Sequence, residues 1–181
     1  MRPKHLSAKR EASFPNLNQS EYEVTSNADF AYNCIAYATD KTNMAWWPME
    51  EEVEGVHWPK GVPIEETLEA FIAAYQTEGY ELCDDPNLET GYEKVAIYAD
   101  AGGKPAHAAK QLTPSGTWTS KLGDWEDIEH KTLDAVCCPE YGAPARFLKR
   151  KIGNQVSNSS DTPSAKALGT EVEDGQEGKQ T

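Results

Sequence analysis

The side chains in this sequence best suited to nucleophilic chemistry are four cysteines and four histidines. Cys34 differs from the other cysteines because it lies in a short apolar segment, residues 27–40, that begins with the capping residues Asn27, Asp29 and Asn33. A thiol near a helix N-terminus feels the positive end of the helix dipole, which favours the thiolate form. We therefore consider Cys34 a candidate nucleophile, with a small buried apolar residue as the alternative interpretation.

A cysteine nucleophile requires a base, and His107 is the candidate. It opens a predicted strand after a turn that contains Gly and Pro, and the alanines around it leave room for a thiol to approach the imidazole. The hairpin turn at 113–116 predicts that Ala109 pairs near Ser120. Ser120, or Asp124 a few residues later, would then orient the imidazole as the third member of a triad. The alternative is a partly buried strand histidine that is hydrogen-bonded to backbone.

Other potential ligands give a weaker pattern. His130 falls in a predicted helix over 125–136 and is interpreted as a surface or structurally satisfied histidine. A metal site from Cys34, His107, His130 and Cys137 or Cys138 would match no zinc spacing. We therefore expect no metal and no other cofactor.

Three tryptophans, Trp46, Trp47 and Trp58, lie near one another in the sequence, and two of them precede a proline. Proline stops regular structure and tryptophan needs a covering surface, which favours a well-packed loop. The alternative is an aromatic groove beside the site that binds substrate.

The periodicity of the remaining chain predicts two further kinds of element. Apolar residues at helical spacing predict an amphipathic helix over 63–79. Alternating residues predict an antiparallel meander with strands at 95–98, 106–112 and 117–122. A short strand is predicted at 80–83, and a closing strand at 141–150 is placed on a sheet edge because of Pro144. Together with the Cys34 helix, these elements predict an α+β fold.

Composition limits the classes of partner. The formal net charge of −13 argues against a nucleic-acid partner, and no stretch approaches the ~20 apolar residues that cross a bilayer. Without a secretory signal, we expect reduced thiols and a cytoplasmic location, or delivery without a classical signal peptide. We expect a flexible basic arm at 1–13, one domain at 14–150 and a disordered acidic tail at 151–181.

The order of these features resembles the papain-like fold, whose smaller members include the NlpC/P60 and CHAP amidases. A cysteine at a helix start is followed by an antiparallel sheet, a strand-opening His-Ala and a hairpin to a polar residue, over residues 27–124. The resemblance implies an N-terminal Cys-bearing helix, a second amphipathic helix and a small antiparallel sheet. It also implies Cys34 as nucleophile and His107 as base, with Asn33 or the backbone N–H of Cys34 stabilising the oxyanion.

The sequence also resembles an uncharacterised bacterial family in the stretches 32–38, 46–48, 93–98, 107–109, 118–123 and 127–130. That resemblance implies that residues 14–150 form one complete domain, and it adds no function. The expected function is a cysteine hydrolase or acyltransferase acting on a peptide or protein substrate. The alternative is a non-enzymatic binding module on the same fold, with the aromatic groove as its binding surface.

Overall fold

The computed structural model describes residues 4–153. Its central element is an antiparallel sheet of seven strands. Its spatial order is β1-β8-β7-β6-β5-β9-β4, and β2 pairs with β3 in a separate parallel pair. The strands are β1 Tyr22–Val24, β2 Ala45–Trp46, β3 Val56–His57, β4 Glu81–Cys83, β5 Tyr92–Ala99, β6 Pro105–Gln111, β7 Trp118–Lys121, β8 Asp127–His130 and β9 Ala143–Lys151.

The helices are short. They are α1 Ala8–Glu11, α2 Cys34–Tyr37 and α3 Leu68–Gln76, with 3₁₀ turns at Leu17–Gln19 and Leu133–Val136. The predicted papain-like α+β arrangement is therefore wrong, because the molecule is mostly antiparallel sheet. The predicted Cys34 helix is a single turn that begins at Cys34, and Asp40 adopts a positive φ of 65° soon after it. Within residues 4–153, no helix is long and apolar enough to cross a membrane.

Helix α3 is shorter than the helix predicted over 63–79. The Thr67 side chain accepts a hydrogen bond from the N–H of Ala70, so the helix starts at Leu68. Ile64, which falls within the predicted helix, precedes α3 and is half exposed. Phe71 and Tyr75 are buried as the stripe predicts.

The predicted meander is confirmed and extended by one strand. Strands β5, β6 and β7 are consecutive antiparallel neighbours, and Ala109 pairs with Ser120 as the turn predicts. The helix predicted over 125–136 is wrong: its first part is strand β8, which pairs with both β7 and β1. The reason is the tight turn at Gly123 (φ 57°), where the N–H of Leu122 donates to the carbonyl of Glu126. This turn sends the chain back along β7.

The closing strand β9 lies inside the sheet, between β5 and β4, so the prediction of an edge strand is wrong. Proline is nevertheless tolerated there, because β4 pairs only with residues 147–149 of β9. Pro144 faces β5 on one side and extends past the end of β4 on the other.

Both faces of the sheet are covered by apolar clusters. Helices α2 and α3 pack on one face with Trp46, Ile97 and Ala108, whereas Phe14, Tyr98, Ala109, Ile128 and Val136 lie in the cluster on the other.

The first described residues belong to that second cluster. Leu6 is buried and Arg10 of α1 pairs with Glu126, so two residues of the segment expected to be a flexible arm contact the domain. Of the tail expected at 151–181, Lys151 ends β9 and residues 154–181 lie outside the described part of the chain.

Candidate active site

Asn33 fixes the start of helix α2. Its Oδ1 accepts hydrogen bonds from the N–H groups of Ala36 (3.1 Å) and Trp46 (3.0 Å), and its Nδ2 donates to the carbonyl oxygen of Trp46 (2.8 Å). The side-chain amide therefore caps the helix and ties it to β2. Asn33 was expected to stabilise an oxyanion, but its geometry is that of a cap, so the backbone N–H of Cys34 is the better candidate of the two.

The sulfur of Cys34 lies where strands β6 and β7 separate. The ladder between these strands ends at the pair Ala109–Ser120. The next residue on β6 is Ala108, whose backbone N–H points to the sulfur, as do the N–H groups of Cys34 and Ile35. His107 is the neighbour of Ala108 in the chain. The fold therefore places the candidate nucleophile beside the start of the strand that carries the candidate base.

Burial determines the protonation state of Cys34, which is only 8% exposed. Loss of solvent raises the pKa of its thiol to about 11, although the three N–H groups and the charge of buried Lys121 act to lower it. The N–H groups at the helix start favour the thiolate as expected, but burial outweighs them, so the thiol is neutral at pH 7. A neutral thiol needs a base that takes its proton during the reaction.

A chain of hydrogen bonds runs through the buried interior from His107 to the backbone. His107 Nε2 lies 3.1 Å from Ser120 Oγ, and that oxygen lies 2.9 Å from His130 Nε2. His130 Nδ1 in turn lies 2.8 Å from the carbonyl oxygen of Thr132. The side chains of His107, Ser120 and His130 are all buried. Strands β6, β7 and β8 each contribute one of these residues.

The Thr132 carbonyl sets the direction of every hydrogen bond in this chain. Burial lowers the pKa of His107 to about 3 and that of His130 to about 4, so both rings are neutral at pH 7 and each carries one N–H. A carbonyl oxygen only accepts, so His130 carries its proton on Nδ1 and its Nε2 accepts from the Ser120 hydroxyl. The Ser120 oxygen then accepts from the Nε2–H of His107.

The consequence is a free lone pair on Nδ1 of His107. Among the described residues this buried nitrogen has no hydrogen-bond partner. A neutral imidazole with its proton on Nε2 and an open Nδ1 is the form that a general base requires. Cys34 and His107 share no hydrogen bond in this state, and such contacts often form only when substrate is bound.

Tyr141 packs against His107, and its hydroxyl is affected by charge on Cys34. Its ring stacks on the imidazole of His107 with a centroid distance of 4.1 Å and an interplanar angle of 4°. Burial raises the pKa of its hydroxyl, and a negative charge on Cys34 raises that pKa further, so the hydroxyl lies within electrostatic range of the sulfur. Tyr141 was not singled out from the sequence, and His130 was interpreted there only as a surface or structurally satisfied histidine. In β8, Asp127, Ile128 and His130 are buried and only Glu129 is partly exposed, so no alternating pattern marks His130.

Asp124 and Ser120 were alternative third members of the site, and the structure places them differently. Ser120 touches the imidazole of His107, whereas Asp124 is exposed on the turn after Gly123. Asp124 is one of the residues that line a small cleft beside Tyr141.

The three tryptophans do not line a common groove. Trp46 is 1% exposed and belongs to the core beside α2, as expected for a packed loop residue. Trp47 and Trp58 pack on Phe71 and line an open cleft of about 680 Å³, with the acidic residues of 50–54 on its other side. Only the last two could contact a ligand there.

No group of three or more His, Cys, Asp and Glu residues within residues 4–153 is arranged to hold a metal ion. The search of curated proteins and the search of solved structures found no match to this chain, and the papain-like resemblance gains no support from them. A family model described as a domain of unknown function, DUF7689, matches residues 23–149, which include every residue of the hydrogen-bond chain. The prediction of an uncharacterised family is confirmed: the chain belongs to the DUF7689 family.

Proposed function

We propose that this protein is a cysteine-dependent acyl-transfer enzyme, either a hydrolase or an acyltransferase, that acts on a carbonyl group of a peptide or protein substrate. One observation carries the proposal: the hydrogen-bond chain from Thr132 to His107 leaves an unpartnered, buried lone pair at Nδ1 beside the strand position that holds the Cys34 sulfur. Most buried polar side-chain atoms in folded proteins have a hydrogen-bond partner, which makes an open Nδ1 available for another role.

The chemistry follows from these positions. The S–H proton of Cys34 moves to Nδ1 of His107 while the sulfur attacks the carbonyl carbon. The electron pair of the carbonyl bond moves to its oxygen, which the backbone N–H of Cys34 can stabilise. Collapse of the intermediate breaks the bond to the leaving group, which takes the proton from His107. Water or another acceptor then attacks the thioester, His107 takes its proton, and the thiol is regenerated.

Ser120 and His130 act as positioning residues in this scheme. Neither reaches the reacting atoms, but together they hold the Nε2–H of His107 and so fix the tautomer that leaves Nδ1 open. The imidazolium that forms during the reaction keeps the same hydrogen bond to Ser120, because its Nε2 still carries a proton. The chain therefore needs no rearrangement when the charge appears.

An acylation experiment tests the proposal without knowledge of the natural substrate. The protein is incubated with p-nitrophenyl acetate at pH 8, release of p-nitrophenolate is followed, and the acetylated cysteine is located by mass spectrometry. We expect preferential acetylation of Cys34 and a loss of at least about 100-fold in the variant His107→Gln.

The control for this experiment is a variant of a cysteine outside the candidate site. Cys83 is partly exposed on the edge strand β4, three strands away from the strand that carries His107, so Cys83→Ala should leave the burst of p-nitrophenolate unchanged. Acetylation of Cys83, Cys137 or Cys138 at the rate of Cys34, or an undiminished burst in His107→Gln, would refute the enzyme proposal.

A second candidate function is binding without catalysis, and the cleft beside Trp47 and Trp58 favours it. The cleft is open, and Met49, Val53 and Ile64 expose apolar surface along it. This candidate predicts ligand-dependent quenching of tryptophan fluorescence that is lost in Trp58→Ala, with no acetylation of Cys34. The acylation experiment therefore separates the two.

A further inference from the structure

We propose that Tyr141 is a catalytic residue whose hydroxyl donates a hydrogen bond to the carbonyl oxygen of a small acyl substrate bound in the cleft beside it. The inference rests on the proposed acyl transfer at Cys34 and deepens it. It assigns the donor that Asn33 does not supply, and it identifies the entrance and the charge preference of the site.

The position of the Tyr141 ring is fixed by two contacts. One is the stack on the imidazole of His107 described above. The other is the loop itself, in which the N–H of Gly142 donates to the carbonyl of Cys138 (2.8 Å). A Cβ at Gly142 would lie 1.8 Å from the carbonyl oxygen of Ala99, so the loop backbone packs directly on the end of β5. The ring is therefore held in place before any substrate binds.

The hydroxyl of the partly buried Tyr141 differs from those of the buried tyrosines because it has no hydrogen-bond partner among the described residues. Among residues 4–153, Tyr32 donates to Asp127, Tyr75 to the carbonyl of Ile35 and Tyr98 to the carbonyl of Leu133. The Tyr141 hydroxyl makes no hydrogen bond to any described residue, and a negative charge on Cys34 would raise its pKa. The raised pKa keeps the hydroxyl protonated, so it is available as a hydrogen-bond donor.

A cleft of about 260 Å³ opens at Tyr141 and gives a route to this hydroxyl. The apolar residues Phe14, Leu122 and Trp125 form part of its walls. The acidic residues Asp124 and Glu140 also line it. None of the described lining residues is basic. The volume suits a small acyl group or one side chain, and the charge favours a substrate with a cationic group.

The role of Tyr141 in the reaction is to stabilise charge. When the sulfur of Cys34 attacks, the carbonyl π electrons move to the oxygen, and this oxyanion accepts hydrogen bonds from the Tyr141 hydroxyl and the backbone N–H of Cys34. The bond to the leaving group then breaks, the electron pair returns to the carbonyl, and Tyr141 keeps its proton throughout. The proton from the thiol travels by way of His107.

Two reactions at Cys34 test this role because only one of them forms an oxyanion. Acylation by p-nitrophenyl acetate passes through a tetrahedral oxyanion, whereas alkylation by iodoacetamide is a direct displacement without one. Tyr141→Phe keeps the ring stack on His107 and removes only the hydroxyl. We expect this variant to lose about 100-fold in the acylation rate at Cys34 and to keep the alkylation rate of the wild type.

The matched control is Tyr75→Phe. The pKa of the Tyr75 hydroxyl also responds to charge on Cys34, but this hydroxyl already donates to the carbonyl of Ile35, so its loss should leave acylation unchanged.

The charge preference of the cleft is tested with two other acyl donors. One is a cationic thioester, acetylthiocholine, and the other is the anionic (acetylthio)acetate. The cationic donor should react several-fold faster, and Asp124→Asn should reduce this difference.

Each outcome decides between the inferences. Unchanged acylation in Tyr141→Phe, with His107-dependent acylation in the wild type, overturns the role of Tyr141 and leaves the proposed function standing. An equal loss of acylation and alkylation in Tyr141→Phe shows a structural role and also overturns it. No acylation of wild-type Cys34 overturns both. Equal reaction of the cationic and anionic donors overturns the charge preference of the cleft.

Discussion

Replacing Ser120 by alanine removes the hydroxyl that joins two buried imidazoles. The wild-type oxygen accepts from His107 Nε2 at 3.1 Å and its proton goes to His130 Nε2 at 2.9 Å. In Ser120→Ala, one ring N–H and one ring lone pair lose their partners at a position with 0% exposure. Water has little access to replace them, so both groups bear a desolvation penalty.

The size of the effect follows from the two unsatisfied groups. A buried polar group that loses its partner costs about 1–3 kcal/mol, and the methyl group of alanine leaves only a small void. We therefore expect the free energy of unfolding to fall by about 2–4 kcal/mol. Urea unfolding followed by tryptophan fluorescence measures this change, and the m-value should stay that of the wild type, because the native fold is unchanged.

The same variant should also impair acylation. Without Ser120, either ring nitrogen of His107 can carry the proton, and the tautomer with Nδ1 protonated cannot accept the thiol proton. We expect the acetylation rate of Cys34 to fall by at least about 10-fold.

Thr119→Val provides the matched control for Ser120→Ala. The Thr119 hydroxyl is buried on the adjacent position of β7 and bonds to the carbonyl of Ile128 and to Tyr37, away from the imidazoles. The variant Thr119→Val should lower the free energy of unfolding by about 1–2 kcal/mol and leave acetylation of Cys34 unchanged. If Ser120→Ala lost less than about 0.5 kcal/mol and acetylated normally, the hydrogen-bond chain would have to be abandoned.

Three further variants or conditions test separate parts of the structure. Burial holds the native pKa of His107 at about 3 and of His130 at about 4, below the ordinary 6.5, so the unfolded state binds protons first as the pH falls. The unfolding free energy should drop by about 2 kcal/mol per histidine between pH 6.5 and 5, and a flat profile in urea titrations would contradict this. Gly142→Ala should lower the melting temperature far more than Gly91→Ala, since both have positive φ but only the first Cβ meets backbone. Asn33→Ala should cost about 2–3 kcal/mol in urea unfolding, because a cap and the bonds to β2 are lost together, and a cost below about 1 kcal/mol would mean that the cap alone matters.

The part of the site that could be predicted from the sequence is the part determined by short-range geometry. The turn at 113–116 fixes the register of β6 against β7, and Ala109 opposite Ser120 follows from it. With side chains alternating along a strand, this register also puts His107 and Ser120 on the same face of the sheet. The capping role open to Asn33 is equally local, since a side-chain amide before a helix start reaches the N–H groups of the first turn.

The rest depends on contacts between distant parts of the chain. His130 reaches Ser120 only because the Gly123 turn folds β8 back along β7, and the apolar spacing of 125–136 is also compatible with a helix. Tyr141 arrives from the loop before β9, which crosses the sheet to pair with β5. The fold class was missed for a related reason: periodic segments indicate which residues face the core, but not how many of them stay helical.

Burial of both reacting groups determines how Cys34 can act as a nucleophile. The thiol has a pKa of about 11 and the imidazole a pKa of about 3. Transfer of the proton from the thiol to the imidazole is therefore unfavourable by roughly 11 kcal/mol. The attraction between the resulting charges, on the order of 4 kcal/mol at ~4 Å in a partly polar interior, does not offset this. In the proposed reaction, we therefore expect the proton to move only as the bond from sulfur to carbon forms, without a resting ion pair.

Alkylation kinetics test this conclusion directly. Iodoacetamide reacts with thiolate, and a resting ion pair would give a rate that reaches a plateau at low pH, near pH 5–6. A neutral pair gives a rate at Cys34 that rises with pH from 6 to 9 without a plateau, as measured by quenched reaction and mass spectrometry of the alkylated peptide. His107→Gln should leave that profile almost unchanged, while acetylation by p-nitrophenyl acetate falls, because the imidazole matters only when it accepts the proton during attack. A plateau near pH 6 that His107→Gln abolishes would show that Cys34 and His107 are charged at rest, and the argument from burial would then be wrong.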